Sequence, residues 1–312
     1  MTSFKSRMFN LLIRNSYLFQ GRLKKEAFSA GTSIIEFRGR CEKGAARYSK
    51  LPPDITVKEQ FIEGIKSEWL IPKGADPAKV VLYIHGGGYV SGSCSDHRGL
   101  ISRFAGYTGV SFLFFEYRLA PENPFPAALD DSEKMYKWLL ASGFHPANII
   151  MAGESAGGGL CLATLLALKD QKAAMPRAAV VISPWTDLTC SGESYRTKNK
   201  VSPAPYNSWY VFSRHYAGEH DESHPYISPL FGNLEGLPPL FINAGVDDEL
   251  YDDGEQFFLK AKEAGVDATF RAGTGMVHCY PLLAPMFREA TEAMEEIVGF
   301  IKQQLQTANH KL

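Results

Sequence analysis

The chain has 312 residues, 45% hydrophobic, 12% aromatic and 21% charged, with a formal net charge of -1. That balance describes a folded globular protein with a large core, and the length suits one α/β domain carrying an appended or inserted cap. The charge provides no global positive field, so nucleic acid and other polyanionic partners are not expected, and no apolar run is long enough for a membrane-spanning helix. The five cysteines, Cys41, Cys94, Cys161, Cys190 and Cys279, are an odd, scattered set without a C-x-x-C pair. They argue against a disulfide framework or a zinc site and for a reducing, cytoplasmic compartment.

From Met1 to about Ser49 the pattern is helical, with Phe9, Leu12, Ile13, Tyr17 and Leu18 recurring three and four apart. Lys5, Arg7 and Arg14 interrupt the apolar residues there, which argues against a signal peptide. The segment is only modestly basic, so it is expected to fold over the domain rather than lie on a membrane. Pro52 and Pro53 mark a change to short β-branched and aromatic runs. Residues 1–50 are therefore expected to form N-terminal cap helices.

The runs from Val80 to Gly86, Val110 to Tyr117, Asn148 to Gly153, Ala178 to Pro184 and Pro239 to Gly245 are almost continuously apolar, as are parallel strands covered on both faces. Helical stretches separate them, and a last strand, ATFRAG, precedes residue 274. The alternation predicts a doubly wound, mostly parallel α/β sheet. Residues 185–237 break it, being rich in aromatics such as Tyr195, Trp209, Phe212 and Tyr216 but without a strand. They are expected to be a cap insertion, leaving 51–184 and 238–312 as the catalytic core.

Gly153-Glu154-Ser155-Ala156-Gly157 fits G-x-S-x-G between a strand and a helix. Such patterns also arise by chance in glycine-rich turns, but here the strand and helix are where a nucleophile on a strained turn requires them. His85-Gly86-Gly87-Gly88 ends an earlier strand. Three glycines pack poorly and cost backbone entropy, so their use is in letting bare amides approach a developing oxyanion; the expected donors are the N–H groups of Gly87, Gly88 and Ala156. A phosphate loop is the rival reading, but neither Lys-Ser/Thr nor G-x-G-x-x-G spacing is present. His278 is one of eight histidines, and a lone histidine is usually unremarkable. This one follows the last strand near the C-terminal end, where Gly273 and Gly275 give a turn that can aim it inward, as the base of a Ser–acid–His order should. The acid must follow an intervening strand, where the three neighbouring carboxylates Asp247, Asp248 and Glu249 compete, and nothing in the residues alone separates Asp247 from Asp248. A surface acidic turn is the bland alternative for any one of them.

Together these residues resemble the hormone-sensitive-lipase-like family of esterases, a branch of the α/β-hydrolases. The resemblance spans roughly residues 75 to 300: HGGGYVSGS (85–93), YRLAPENPFPAALDD (117–131), GESAGGG (153–159), SPWTDL (183–188), DDELYDDG (247–254) and GMVH (275–278). It implies an α/β-hydrolase fold with a helical cap, a triad of Ser155, His278 and an acid, and an oxyanion hole built by the HGGG glycines. The family's D-x-L-x-D-x-G pattern fits from Asp248, which the resemblance therefore favours over Asp247. Glu154 stands where the family often has Asp, Cys279 where Gly is common, and Asp247 is an additional acid. Arg118, Glu122, Trp185 and Asp187 are expected to hold loops and the cap rather than touch substrate.

The implied function is a serine carboxylesterase acting on short- to medium-chain esters. It needs no metal and no organic cofactor; its partner is a small-molecule ester, and a homodimer through edge strands or late helices is an option in this family. A serine peptidase or amidase would use the same triad and differ in accepting amine leaving groups. A non-catalytic hormone-binding relative would typically lack the histidine that this chain has at 278.

Overall fold

A computed structural model describes residues 2–19, 23–45 and 50–306. The N-terminal part contains helices α1 (Phe4–Arg14), α2 (Ser16–Phe19) and α3 (Ile34–Ala45). The predicted helical pattern is interrupted between α2 and α3, where Ala27 forms a parallel bridge with Tyr206. Residues 46–49, next to the expected boundary, lie outside the described residues.

Strands β1 (Ile55–Ile62) and β2 (Ile65–Pro72) form an antiparallel hairpin. Its turn, Glu63-Gly64, has positive φ at both residues, the twist that a two-residue hairpin favours. The sequence pattern gives β character here without resolving the hairpin, because β1 is an edge strand with mostly exposed side chains. The chain then alternates: β3 (Val80–Ile84), α4 (Cys94–Thr108), β4 (Ser111–Phe115), α5 (Ala127–Ala141), β5 (Ile149–Glu154), α6 (Ala156–Asp170) and β6 (Ala178–Ile182). Helices α7 (Ser194–Thr197) and α8 (Ser208–Ala217) fall in the strandless segment, and β7 (Leu240–Gly245), α9 (Tyr251–Glu263), β8 (Ala268–Gly273) and α10 (Arg288–Gln306) complete the fold.

The sheet order is β1-β2-β4-β3-β5-β6-β7-β8, parallel from β4 to β8 and antiparallel at the β1–β2 end. The apolar strands feed two cores. In β3, Val80, Leu82 and Ile84 face the core shared with α5, α6 and α9, while Val81 and Tyr83 face that shared with α4 and α10. That period-two division is why these strands read as unbroken apolar runs. Helix α6 is buried all round from Ala156 to Leu168, as its uniformly apolar and small residues demand.

The antiparallel end carries a partly buried charge pair. Glu68 of β2 is fully buried and accepts from the Arg98 Nε of α4 at 2.7 Å, with a second contact from Nη2. Removing the guanidinium strands a buried carboxylate, which costs several kcal/mol. Arg98→Ala should lower unfolding free energy by roughly 3–5 kcal/mol in denaturant titration, and adding Glu68→Gln should recover part of the loss.

Candidate active site

Ser155 occupies the turn between β5 and α6 with φ 56° and ψ -125°, a conformation that non-glycine residues rarely adopt. Three backbone bonds pin it: Ser155 N–H to the Ile182 carbonyl, Trp185 N–H to the Ser155 carbonyl, and Gly159 N–H to the same carbonyl, at 2.9, 3.0 and 3.1 Å. The flanking glycines are sterically required. A Cβ on Gly157 would lie 2.2 Å from the Ile84 carbonyl oxygen, and one on Gly153 2.4 Å from the Gly157 carbonyl oxygen.

Beyond β3, His85-Gly86-Gly87-Gly88 runs alongside this turn. Gly87 and Gly88 have φ of 115° and 66°, and a Cβ on Gly87 would meet the Ser91 carbonyl oxygen at 2.1 Å. Among the described residues, the N–H groups of Gly87, Gly88 and Ala156 donate to no protein acceptor. By contrast, the Gly86 N–H donates to the Glu154 carboxylate at 2.8 Å. The loop is also held by the Tyr117 hydroxyl, which donates to the His85 carbonyl at 3.0 Å, and by a stack of His85 on Tyr117. Burial and the neighbouring His97 push the His85 pKa down to about 3, so this ring is neutral at physiological pH.

His278 follows β8, and Asp248 follows β7. The His278 Nδ1 lies 2.8 Å from Asp248 Oδ2, and the other carboxylate oxygen of Asp248 accepts the Leu250 N–H at 3.1 Å. Asp248 is fully buried. Burial works against a charged His278, but the adjacent Asp248 carboxylate outweighs it and holds the imidazole pKa well above its ordinary 6.5. Asp247 turns the other way, to Arg14 at 2.6 Å and Lys198 at 3.6 Å. Cys279 adopts φ 52°, a conformation that glycine takes up without strain; its N–H donates to the Ser183 hydroxyl at 3.1 Å.

The end of β6 joins these parts, since Ile182 accepts from Ser155 and Ser183 from Cys279. No hydrogen bond links Ser155 to His278 among the described residues, and such bonds are often long before substrate is bound. An aromatic wall stands over the rim. Trp209 packs against His278 at 5.6 Å between ring centroids and against Trp185 at 5.1 Å, while Phe212 lies so near Gly88 that a Cβ there would be 2.4 Å from its ring. Phe28 and Phe37 from the N-terminal part back Phe212.

The residues expected to hold loops do so. Arg118 forks onto the buried Asp131, and Glu122 receives a fork from Arg38, which also donates to the Val90 and Ala120 carbonyls. The Trp185 indole donates to the Asp187 carbonyl, and the Asp187 carboxylate caps the turn through Thr189 and Ser191. Arg38 and the Glu154–Gly86 bond were not legible from the sequence, because their partners lie 52 and 68 residues away.

A family model described as alpha/beta hydrolase fold matches residues 81–282. An acetyl-hydrolase from Streptomyces hygroscopicus is 38% identical over 238 residues, covering 76% of this chain and 79% of that protein. Among solved structures, an esterase of the bacterial hormone-sensitive lipase family superposes with a TM-score of 0.88 at 34% identity, covering 98% of this chain and 99% of that one. The chain belongs to the hormone-sensitive-lipase-like esterases of the α/β-hydrolase fold. An esterase/lipase from an uncultured bacterium is similar as well, at TM-score 0.88 and 36% identity over 97% of this chain and 99% of that one.

Within this esterase, Glu154 ties the serine turn to the glycine loop, so its loss should disturb the loop before it disturbs the fold. Glu154→Ala strands the buried Gly86 N–H and should lower stability by about 1–3 kcal/mol. Glu154→Gln keeps an acceptor, and thermal unfolding of the two variants should show the larger loss for alanine.

Proposed function

We propose that the enzyme hydrolyses short- to medium-chain carboxylic esters through Ser155, His278 and Asp248. The observation that carries this reading is the imidazole of His278 held on one nitrogen by a buried carboxylate at the rim where Ser155 is turned out on strained backbone. Ser155 Oγ attacks the ester carbonyl carbon as His278 Nε2 takes its proton. The carbonyl oxygen becomes an oxyanion, received by the N–H groups of Gly87, Gly88 and Ala156. Collapse breaks the bond to the alkoxy group, which leaves as the alcohol with the proton from His278, and the acyl group stays on Ser155. Water, deprotonated by the same imidazole, then attacks the acyl carbon, the bond to Ser155 Oγ breaks as Oγ regains the proton from His278, and the carboxylic acid is released.

Asp248 fixes the tautomer that leaves Nε2 free and stabilises the imidazolium. The wall of Trp209 and Phe212, which belongs to a cap made by the N-terminal part and residues 185–237, confines the acyl group. The acetyl group named for the Streptomyces relative also favours a short chain. Free cysteines support a reducing compartment, and a homodimer would form through the edge strand β8 or the late helices.

Ser155→Ala should abolish labelling by a fluorophosphonate and lower kcat by at least about 10⁴-fold; retained turnover of p-nitrophenyl acetate would sink the assignment. His278 must be neutral to act as base, and its pKa is raised, so activity should fall with decreasing pH along a limb centred above 6.5. Asp248→Asn removes the charge that raises it, so the surviving activity should show a limb at lower pH, with kcat reduced by roughly 10⁴-fold. Kcat/KM across p-nitrophenyl acetate, butyrate, octanoate and palmitate should peak at the short end. A maximum at palmitate would contradict a confined pocket.

A further inference from the structure

Helix α1 buries polar side chains while leaving several of its largest apolar ones outside. Its Ser6 and Asn10 are 0% and 5% exposed, whereas Phe4, Met8, Leu11 and Leu12 are 71%, 48%, 63% and 47% exposed. The helix covers the domain as expected, with Phe9 packed on Phe287 and Ile13 half-buried, but the rest of its apolar residues face outward. At 3.6 residues per turn these four side chains share one face, which Leu18 of α2 continues at 52% exposure. Lys5 and Arg7, both exposed, fall on opposite margins of that face, and α1 has no acidic residue.

The inner face is fastened. Asn10 Nδ2 donates to the Gly275 carbonyl at 2.6 Å, the Ser6 hydroxyl meets Met276 Sδ at 3.8 Å, and Arg14 pairs with Asp247. Rolling the helix to bury its leucines would break all three contacts, so the apolar face is committed outward.

We propose that this face seats the enzyme on an anionic lipid surface. A helix with Phe and Leu on one side and basic flanks buries that side at the head-group boundary, and anionic lipid complements Lys5 and Arg7. A second copy of the chain suits the face less well. An isologous contact would set the basic margins of the two copies against each other at close range. Seated in this way, the inner face of α1 remains on the loops that bear Asp248 and His278. On the proposed function, the ester site therefore works beside the lipid.

The experiment is flotation of the full-length protein with vesicles of phosphatidylcholine alone and of phosphatidylcholine with phosphatidylglycerol. The protein should float with the anionic vesicles and less at high salt. Leu11→Asp, or Leu11→Gln if the aspartate variant does not fold, should lower the bound fraction by about tenfold. Lys5→Gln with Arg7→Gln should lower it by roughly tenfold or more on anionic vesicles. Absence of flotation by the wild type, or flotation unaffected by Leu11→Gln, would overturn the proposal. So would a wild-type dimer that Leu11→Gln converts to monomer in size-exclusion chromatography without vesicle binding by either. Flotation does not depend on turnover, so its failure is distinguishable from failure of the esterase reading.

Discussion

The close approach of the serine turn to the carbonyl end of β3 is the constraint on which the rest of the site depends. A left-handed residue at the tip of β5 costs of order 1–3 kcal/mol, and it persists because neighbours over-determine it. Ile182, Trp185 and Gly159 hold the Ser155 backbone, and bare glycines let α6 start within van der Waals reach of Ile84 and His85. The same approach brings the glycine loop beside the serine, with Glu154 bridging the two. The serine turn and the glycine loop are thus parts of a single packing solution, and neither could be moved without the other.

What the sequence showed clearly were features written in local residue choice. The alternation of apolar runs and amphipathic stretches gave the parallel sheet, and glycines around Ser155 and after His85 marked the two turns. Less was legible wherever the deciding partner is distant in the chain. Asp247 and Asp248 share one turn, and only the folded chain has one against His278 and the other against Arg14 and Lys198. Periodicity showed that α1 is two-faced but could not say which face is inside, since that depends on Gly275, Met276 and Asp247. Strand β1 was obscured by its polar, exposed side chains at the sheet edge.

Electrostatics at the rim follows from the same geometry. Two histidines near each other in function are driven in opposite directions: His85, buried beside another histidine, is kept neutral, while His278 is charged more readily because a buried carboxylate faces it. The first therefore serves as an uncharged stacking partner for Tyr117 under the glycine loop, and the second can accept a proton. Environment, rather than residue type, divides these roles.

The bridge between Ala27 and Tyr206, with the reciprocal bonds from Phe28 to Tyr206 and from Tyr206 to Glu26, joins segments about 180 residues apart. During synthesis on the ribosome the first of these emerges early and must wait for the second before either can cover the aromatic wall. Contacts of such long sequence separation form late because loop closure precedes their reward. The aromatic wall therefore cannot close over the serine turn before residues 206–212 have been made, and a chain released before that point would lack β7, α9, β8 and α10 as well as Trp209 and Phe212.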